Sequence, residues 1–311
     1  MPTTRAVRYH EYGKPQVLRI DEVERPHPKT GEVLVRVRAT GVHPMDWKLR
    51  AGYLQQFMPL QLPYTPGMEF AGTVEEVGEG VTALVKGDAV FGKGEGTYSE
   101  YAIGSAKSLV EKPAQISFEE AATLGVSGVT AWNLVEAAEL KPGQRVLIHG
   151  GAGGVGSIAV QLAHRKGAHV IATTSAANLD HVRSLGADEV VDYAARPFEQ
   201  VVHDLDVVLD TVGGEITDRS WAVLRPGGLL ISIASMSLDA AASEHGMRTK
   251  ALPQVQETAP ILEQLAGLVS SGAVRPQVAE TYALEQAQDA HAASETRHGR
   301  GRRVITVSEN I

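Results

Sequence analysis

The sequence contains no cysteine among its 311 residues. This absence excludes disulfide bonds, thiolate nucleophiles, iron–sulfur clusters and every zinc site that is built on cysteine. A small secreted scaffold held together by disulfides is therefore excluded as well. Any redox chemistry of this chain must use a bound cofactor.

Positive charge is also in short supply. The chain has 29 lysine and arginine residues against 37 aspartate and glutamate residues, which gives a formal net charge of -8 at pH 7. A surface of this sign repels a phosphate backbone. We therefore expect no nucleic-acid partner.

Long apolar runs are missing too. The longest clean run, residues 228–236, is far shorter than the roughly 18 residues that indicate a membrane-spanning helix. A secretion signal combines a basic segment with a following apolar run, and the first residues of this chain do not show that pattern. We therefore predict a cytoplasmic protein with no membrane partner. Hydrophobic residues make up 43% of the chain, which is enough for a sizeable globular core.

The first third of the chain is predicted to be mostly β structure. Residues 32–40 alternate aliphatic side chains with largely charged ones, the period expected of a half-buried strand. Similar short runs, separated by glycine, proline and aspartate, occur at 17–23, 70–77, 88–91 and 99–103. This pattern predicts a compact, mostly antiparallel, barrel-like unit.

After Pro113 the sequence changes character. Ser117 and Glu120 have the spacing of a capping box that opens a helix, and a second helix is predicted over residues 130–140. Short aliphatic strands then alternate with helical segments, the strands being 145–149, 169–173, 189–193, 206–211 and 229–234. Such alternation predicts an α/β fold with a parallel sheet covered by helices.

The last part of this series bears on assembly. A sixth strand is predicted over residues 250–256, followed by a helix over 260–271. The unpaired edge of that strand favours a homo-oligomer, most simply a homodimer in which the edge pairs across a two-fold axis. Beyond Gly272 the pattern returns to strand, helix and strand. The final strand, 303–307, lies in a polar tail and must pair with another part of the fold.

The most specific local motif is the glycine-rich turn after the strand at 145–149. Gly151, Gly153 and Gly156 satisfy G-x-G-x-x-G, in which the glycines allow a tight turn, close approach to a pyrophosphate and close packing of helix on strand. The following helix offers unpaired N–H groups at its amino terminus to the phosphates. Because the β/α series continues, we interpret the turn as a dinucleotide-binding loop rather than as a mobile turn.

The turn after the next strand favours NADP over NAD. An NAD-selecting site has a carboxylate about 20 residues beyond the glycines, whereas residues 174–178 contain hydroxyls and an amide but no acid. Asp180 comes next, but we expect it inside the following helix as a solvated first-turn acid. The residues predicted to face a 2′-phosphate are Thr174, Ser175 and Asn178, with Arg183 as a further candidate one turn on.

Several ordered motifs along the chain are shared with a known family. They are GVHPMDWKLRAG (41–52), PYTPGMEFAGTVEEVGEGV (63–81), GDAVFG (87–92), GTYSEYA (96–102), GVTAW (128–132), the glycine loop, LGADEVVDY (185–193) and RGRRVITV (300–307). Over nearly its whole length the chain resembles the medium-chain dehydrogenase/reductase superfamily. Within that superfamily it is most similar to the zinc-free quinone oxidoreductases.

This resemblance implies a two-domain architecture. A GroES-like β-barrel catalytic domain would comprise residues 1–120 and 273–311, and a Rossmann domain with a doubly wound parallel sheet would comprise residues 121–272. The resemblance also implies that the nicotinamide lies in the cleft between the domains. The residues expected near it are His43, Asp46, Lys48 and Thr130.

The resemblance assigns the remaining cofactor contacts as well. The pyrophosphate loop would comprise Ala152, Gly153, Gly154, Val155 and Gly156, and Tyr193 would lie beside the adenine. The ends of later strands, where an open parallel sheet binds ligands, would contribute Thr211, Val212, Ser232, Ile233 and Ala234. The basic run near the carboxyl terminus would contribute Arg297 and Arg302, unless it is an ordinary solvated face.

The zinc ligands of the superfamily are not present in this chain. Zinc-dependent members have Cys then His after the Gly-Val of the first motif, and His in the middle of a Gly-His-Glu. This chain has His43 and Pro44 at the first place, and Met68 before Glu69 at the second. One imidazole, one carboxylate and one thioether suit a divalent metal poorly. We therefore predict no metal site, and we expect His43 to line the substrate cleft.

The absence of zinc ligands narrows the chemistry. Without a metal ion, the carbonyl group of an isolated ketone would lack the Lewis acid that usually polarises it for reduction. A quinone, or a C=C bond conjugated to a carbonyl, needs less help because the charge left by hydride transfer spreads onto an oxygen that hydrogen bonds can stabilise. The sequence therefore predicts an NADPH-dependent, zinc-independent quinone oxidoreductase or enone reductase. We expect Lys48 near the nicotinamide ribose or the developing oxyanion; the alternative is that Lys48 is only a surface cation. Asp46 either takes part in the chemistry or organises its loop.

Two other functions stay open at this point. One is a zinc-free alcohol or ketone reductase that uses a bound proton donor. The other is a non-catalytic NADPH-binding protein, either a redox sensor or a structural protein. The glycine loop would serve this non-catalytic protein equally well.

Overall fold

The computed structural model describes residues 2–235 and 237–307. The chain divides into two compact units. Unit 1 comprises Met1–Val129 and Gln256–Ile311, and unit 2 comprises Thr130–Val255. Among the described residues, no helix combines the length and the apolar character needed to cross a membrane.

The helices and strands follow one another in three segments of the chain. Before residue 130 they are β1 (Thr3–Arg8), β2 (Arg19–Glu24), β3 (Glu32–Val42), α1 (Pro44–Arg50), β4 (Glu69–Val77), β5 (Ala89–Lys93), β6 (Tyr101–Ser105), β7 (Leu109–Glu111), α2 (Phe118–Ala121) and the start of α3 (Ser127–Ala137). Through residue 255 they are β8 (Arg145–His149), α4 (Gly156–Arg165), β9 (His169–Thr174), α5 (Leu179–Ser184), β10 (Glu189–Asp192), β11 (Leu205–Asp210), α6 (Glu215–Ser220), β12 (Leu224–Ser232), α7 (Asp239–Glu244) and β13 (Arg248–Thr249). The last segment contains α8 (Ala259–Ser270), β14 (Val278–Ala283), α9 (Ala287–Glu295) and β15 (Arg302–Thr306).

Short 3-10 helices connect several of these elements. They lie at Pro15–Val17, Ala106–Ser108, Ala176–Asn178, Phe198–Gln200, Trp221–Val223 and Leu284–Gln286. The capping box predicted at the start of α2 is present, since the Ser117 hydroxyl accepts from the Glu120 N–H at 3.1 Å and the Glu120 carboxylate accepts from the Ser117 N–H at 2.8 Å. These paired bonds satisfy two N–H groups that would otherwise lack partners.

Unit 1 is built on a largely antiparallel sheet. Its strand order is β14–β15–β3–β4–β5–β7, with β6 also paired to β3. The β14–β15 pair is parallel and the other pairs are antiparallel. The alternating strand predicted at 32–40 is thus β3, at the centre of the sheet. Its aliphatic face packs into a core with Phe70, Tyr98 and Ile305, each fully buried.

The polar tail docks as predicted. β15 pairs antiparallel with β3, from Arg303 opposite Val42 to Thr306 opposite Ala39. Val304 and Ile305 are completely buried by this pairing. The carboxyl-terminal strand therefore completes the sheet of unit 1 although it lies some 260 residues along the chain from its partner.

Unit 2 is a parallel sheet with the strand order β10–β9–β8–β11–β12–β13. This is the doubly wound Rossmann order, in which the direction of winding reverses between β8 and β11. The central strands are buried on both faces, which explains why their sequences are continuous aliphatic runs rather than alternating ones. The α/β architecture predicted from the sequence is confirmed.

The sixth strand of this sheet was predicted in the wrong place. It is formed by Arg248–Thr249, which pair with Leu229 and Leu230 of β12, whereas residues 250–256 are not a strand. Two features explain the difference. The Lys250 ammonium leaves the sheet to donate to the Ala137 carbonyl at 3.1 Å. Pro253 cannot donate a hydrogen bond to a neighbouring strand.

The unit boundaries differ from the domain bounds expected from the sequence. Helix α8 packs against β7 and the 3-10 turn at Ala106–Ser108, with Leu262 and Leu265 completely buried. It therefore belongs to unit 1, although it lies before residue 272. At the other side the boundary falls inside α3 instead of at residue 120. An apolar helix face does not reveal from its sequence which sheet it covers.

Candidate active site

The glycine loop of unit 2 joins β8 to α4, as the motif requires. The N–H of Gly151 donates to the Thr173 carbonyl at 2.9 Å, which ties the loop to the end of β9. A Cβ on Gly156 would lie only 2.1 Å from the Gly150 carbonyl oxygen, so no larger residue fits there. The loop therefore turns tightly at the amino terminus of α4.

The remaining residues of the predicted pyrophosphate loop lie in this turn. Ala152 is buried, while Gly153, Gly154 and Val155 are half-buried. The Gly153 carbonyl accepts from the Ser157 N–H at 2.9 Å and so begins the helix. A small, glycine-lined cradle at the amino terminus of a ten-residue helix fits the pyrophosphate of a dinucleotide.

The turn predicted for the 2′-phosphate follows β9. Thr174 is the buried last residue of that strand, and the Asn178 amide donates to the Ser175 hydroxyl at 3.2 Å. The Tyr193 N–H donates to the Thr174 carbonyl at 3.2 Å, so Tyr193 lies beside this turn with about half of its side chain exposed. The structure therefore brings together the residues predicted around the adenosine.

The nearby charges of α5 are paired with each other. Asp180 is fully solvated, as predicted, and its carboxylate lies 2.7 Å from the Arg183 guanidinium. This exposed pair one turn beyond the predicted 2′-phosphate site reduces the positive charge that Arg183 would offer to a phosphate.

The predicted contacts at the ends of β11 and β12 lie on two short segments. The Thr211 hydroxyl donates to the His149 carbonyl at 2.7 Å, and Val212 is 45% exposed. Ser232 and Ile233 are half-buried and Ala234 is exposed. Thr211 therefore links the segment after β11 to the end of β8, next to the glycine loop.

Sequence reasoning missed two buried polar residues at these strand ends. His149 bonds to the Thr173 and Ser220 hydroxyls at 3.1 and 3.0 Å, and burial lowers the pKa of His149 to about 4 despite the opposing charge of Asp210. The ring is therefore neutral at pH 7. Asp210 is completely buried and accepts from the N–H groups of the two residues after Thr211. The sequence feature that could have revealed them is a polar residue at the end of an otherwise apolar strand.

In unit 1 the predicted catalytic residues lie on α1 and just before it. Asp46 is buried, and its carboxylate accepts from the His43 N–H at 2.7 Å, the Tyr98 hydroxyl at 3.2 Å and the Gly67 N–H at 3.3 Å. Burial raises the pKa of Asp46, and the His43 ring and these hydrogen bonds oppose the rise. Of the two roles open to Asp46, these contacts favour organising the loop.

His43 pairs with a second buried carboxylate. Its Nε2 lies 2.6 Å from Glu69 Oε1, and His43 is 5% exposed while Glu69 is completely buried. The Glu69 carboxylate also accepts from the Val126 and Ser127 N–H groups at 2.6 and 3.3 Å. Burial disfavours ionisation of Glu69, but the His43 ring, the Arg302 charge and the Val126 hydrogen bond outweigh it and lower the pKa of Glu69.

Close backbone approach makes room for this pair. A Cβ on Gly41 would lie 2.2 Å from Glu69 Oε1, so the carboxylate occupies the space that a side chain would fill. Because Glu69 has a lowered pKa and acts as an acceptor, the His43 Nε2 atom serves as the donor in this bond. The sequence motifs showed both residues at or beside the positions of the zinc ligands in related proteins but did not show that they are bonded to each other.

The position of Arg302 differs from the one expected for a cofactor contact. Its Nε and Nη2 atoms donate to the Ser127 hydroxyl at 3.0 and 2.7 Å, and its Nη1 atom donates to the Val42 carbonyl at 3.2 Å. Arg302 is the first residue of β15, where it lies opposite Val278 of β14, and its side chain is buried. The basic run is therefore not uniformly solvated. Arg302 binds groups in the interior of unit 1, and its contact with a cofactor stays a prediction.

Lys48 and Arg297 meet over one aromatic ring. The Lys48 ammonium lies 5.8 Å from the centroid of the Trp47 ring, and the Arg297 guanidinium lies 5.7 Å from it. Burial lowers the pKa of Lys48, and the Arg297 charge lowers it further. Among the described residues no carboxylate pairs with Lys48. Thr130, the remaining predicted residue near the nicotinamide, is half-buried on α3 in unit 2.

The former zinc-ligand positions show how this chain differs from the zinc-dependent proteins. His43 uses its Nε2 atom for Glu69, and Met68 is half-buried. Across residues 2–235 and 237–307, no three histidine, aspartate or glutamate side chains converge on one point.

Two family models match the chain. One, described as the alcohol dehydrogenase GroES-like domain, covers residues 29–114, and the other, described as zinc-binding dehydrogenase, covers residues 185–305. The first match lies within unit 1, and the second spans most of the Rossmann sheet and returns to β15.

The chain is also similar to known proteins over nearly its whole length. It is 34% identical to a 2-methylene-furan-3-one reductase from Solanum lycopersicum, with 97% of this chain and 78% of that protein covered. It is 31% identical to a quinone oxidoreductase from Homo sapiens, with 92% of each covered. Its structure matches that of an Escherichia coli quinone oxidoreductase complexed with NADPH with a TM-score of 0.88 and 30% identity, with 97% of this chain and 99% of the other covered.

Proposed function

The chain belongs to the zinc-free quinone oxidoreductases of the medium-chain dehydrogenase/reductase superfamily, and on this premise we propose that it is an NADPH-dependent oxidoreductase. It transfers hydride to a quinone or to a C=C bond conjugated to a carbonyl group. The observation that carries the assignment of the cofactor is the glycine loop between β8 and α4, at the strands where the sheet order reverses. The names of the relatives, a quinone oxidoreductase and an enone reductase, support the two substrate classes.

The residues of unit 2 fit NADPH. The Gly153 to Gly156 turn holds the pyrophosphate, and the Thr174, Ser175 and Asn178 turn faces the 2′-phosphate with hydroxyl and amide donors in place of an acid. When bound, the reduced nicotinamide supplies a hydride. The residues of unit 1 then deal with the charge that the hydride leaves on the substrate.

Lys48 is the residue best suited to stabilise that charge. It is half-buried, it has no carboxylate partner among the described residues, and its lowered pKa makes it a stronger proton donor than a solvated lysine. An enolate or quinol oxygen that develops beside it would accept a charge-assisted hydrogen bond. Lys48 therefore stabilises the oxyanion or, if it lies nearer the cofactor, donates to the ribose.

His43 and Asp46 complete the proposed catalytic set in different ways. The buried Asp46 accepts three hydrogen bonds and so positions the amino terminus of α1, which carries Lys48. Glu69 holds the His43 ring through a 2.6 Å bond and orients it at the same end of the helix. We therefore assign His43 to the lining of the substrate site.

A panel assay tests the proposal. Purified protein is mixed with NADPH and, separately, with quinones, enones and isolated ketones, and consumption of the cofactor is followed by absorbance. We expect turnover with a quinone or an enone, and we expect NADPH to be preferred over NADH. Prolonged treatment with a metal chelator should not reduce the activity. Turnover of ketones alone would indicate an alcohol or ketone reductase. Tight NADPH binding without consumption across the panel would indicate a sensor or a structural protein.

We also propose that the protein acts in the cytoplasm as a homodimer. The β13 edge of the sheet in unit 2, formed by Arg248–Thr249, supports the dimer because an edge strand gains hydrogen bonds by pairing with a second copy.

A further inference from the structure

Asp210 occupies a special place in the sheet of unit 2. It is the last residue of β11 and pairs with His149, the last residue of β8. These are the two strands between which the winding of the sheet reverses, and ligands of open α/β sheets bind at the carboxyl ends of such strands. Asp210 is completely buried, so its carboxylate must be satisfied by groups of the protein.

The carboxylate binds the segment that follows β11, helix α6 and the end of β12. Its Oδ1 atom accepts from the N–H groups of Val212 and Gly213 at 2.8 and 3.0 Å. Its Oδ2 atom accepts from the hydroxyls of Thr217 and Ser232 at 2.6 and 2.9 Å. These four bonds occupy both oxygens of the carboxylate, and they connect α6 and the end of β12 to the segment after β11.

The bonds continue outward from the carboxylate. The Ser232 hydroxyl accepts from the N–H groups of Ala234 and Ser235, each at 3.1 Å. Gly213 has a φ of +85°, and a Cβ on it would lie 2.8 Å from the Ala234 Cβ, so the two segments touch through small residues. The conformation of both segments is therefore fixed through one buried side chain.

From these contacts we infer that Asp210 is a positioning residue for the cofactor, holding segments 211–213 and 232–235 in the conformation that binds NADPH. The inference rests on the proposed function, since NADPH is the ligand that these segments are predicted to contact. Asp210 is buried, and it acts through the backbone N–H groups of the first segment and through the Ser232 hydroxyl of the second. Its contribution is to order both segments before the cofactor arrives, so that binding does not have to order them.

A residue of the same strand supplies a matched control. Asp206 lies four residues earlier on β11, near the amino-terminal end of the strand. Its carboxylate accepts from the Arg145 N–H at 2.8 Å and pairs with the Arg225 guanidinium at 2.7 Å. Replacing Asp206 removes a comparable set of bonds from the same strand but leaves the predicted cofactor segments untouched.

The test compares Asp210→Ala, Asp210→Asn and Asp206→Ala with the natural sequence. Hydrogen exchange of the cofactor-free protein is measured over residues 211–214 and 232–235, and the NADPH dissociation constant is measured by fluorescence titration. We expect Asp210→Ala to speed exchange in both segments and to raise the dissociation constant about 10- to 100-fold. Asp210→Asn keeps one acceptor oxygen for the N–H groups of Val212 and Gly213, so its effect should be smaller and it serves where the alanine variant fails to fold.

The kinetic split separates positioning from general damage. For Asp210→Ala we expect the KM for NADPH to rise while kcat at saturating cofactor stays within about threefold, the signature of lost uniform binding. Asp206→Ala should leave the NADPH dissociation constant within about twofold even where it lowers the unfolding temperature. Equal weakening by the Asp206 and Asp210 variants, or unchanged exchange in both segments, would overturn the inference. A natural protein that binds no NADPH would overturn the proposed function, and this inference with it.

Discussion

Glu69 offers a direct test of how the candidate site is held together. The change is Glu69→Gln, which keeps the shape of the side chain but removes its charge. In the natural protein the completely buried carboxylate accepts from the His43 ring and two backbone N–H groups, and the buried Arg302 charge acts on it through space. Removing one partner of a buried charge pair costs about 3–5 kcal/mol. Because Arg302 does not touch Glu69 directly, we expect a loss near the lower value, about 3 kcal/mol.

The same strand provides the control. Glu76, seven residues further along β4, has about half of its side chain exposed and lies 3.7 Å from the His27 ring. Glu76→Gln should change the free energy of unfolding by about 0.5 kcal/mol or less. The assay is urea unfolding followed by circular dichroism. With a slope of about 2 kcal/mol per molar, the Glu69 variant should lose about 1.5 M in its urea midpoint relative to the control.

The pH dependence gives a second, independent readout. The pKa of Glu69 is lower in the folded protein than its usual value of 4.5. A depressed carboxyl pKa stabilises the fold above the unfolded-state pKa, and this contribution is lost as the pH falls through the folded-state pKa. The difference between the natural protein and Glu69→Gln should therefore be full at pH 7 and shrink below about pH 4.5. Equal midpoints for the two glutamine variants at pH 7 would refute the reasoning, as would a difference that does not change on acidification.

The remaining predictions concern the cofactor, the chemistry and assembly. NADPH should bind about tenfold to several-hundredfold more tightly than NADH, and Ser175→Asp should reverse the preference by repelling the 2′-phosphate; equal dissociation constants in titrations of the natural protein would contradict this. Lys48→Ala should lower kcat and kcat/KM together by about 10²–10³ if Lys48 stabilises the oxyanion. Weaker NADPH binding alone would indicate that Lys48 anchors the ribose. An unchanged rate and unchanged NADPH affinity would indicate that Lys48 is a surface cation. Because its pKa is lowered, activity that depends on the Lys48 ammonium should decline on the alkaline side at a lower pH than for an ordinary lysine. Gly156→Ala would place a Cβ 2.1 Å from the Gly150 carbonyl oxygen and should weaken NADPH binding at least about tenfold in the same titration. Light scattering should give about twice the 33.1 kDa chain mass, and a concentration-independent monomer would exclude the dimer.

Much of the fold could be predicted because its signals are local. The alternating residues of β3, the capping box at Ser117 and Glu120, and the aliphatic strands of the Rossmann sheet each follow from a pattern within one element. The position of the sixth strand was predicted wrongly because its sequence pattern is weak. Its two residues, Arg248–Thr249, carry no aliphatic signal, and the run that did carry one contains Pro253.

The candidate site divides in the same way. The glycine loop and the turn after β9 could be found from the sequence, because each lies within about ten residues and is defined by the residue types in that stretch. The partners of the polar side chains could not. His43 meets Glu69 26 residues away, and Arg302 meets Ser127 175 residues away, so no local pattern contains either pair. The burial of Arg302 could not be predicted for this reason, since a basic run does not show which of its members faces inward.

The sequence by itself determined the class of cofactor, the β/α order and the loss of the zinc ligands, since each depends on which residue stands at a position or on short-range periodicity. Only the tertiary structure decided which buried charges are paired and which strand ends meet. Asp210 shows why. Its carboxylate binds residues that follow two different strands, and their contact depends on the pairing of β11 with β12 rather than on any spacing in the chain. A buried polar group must find its partners within the fold, and only strand pairing brings those partners within hydrogen-bonding distance.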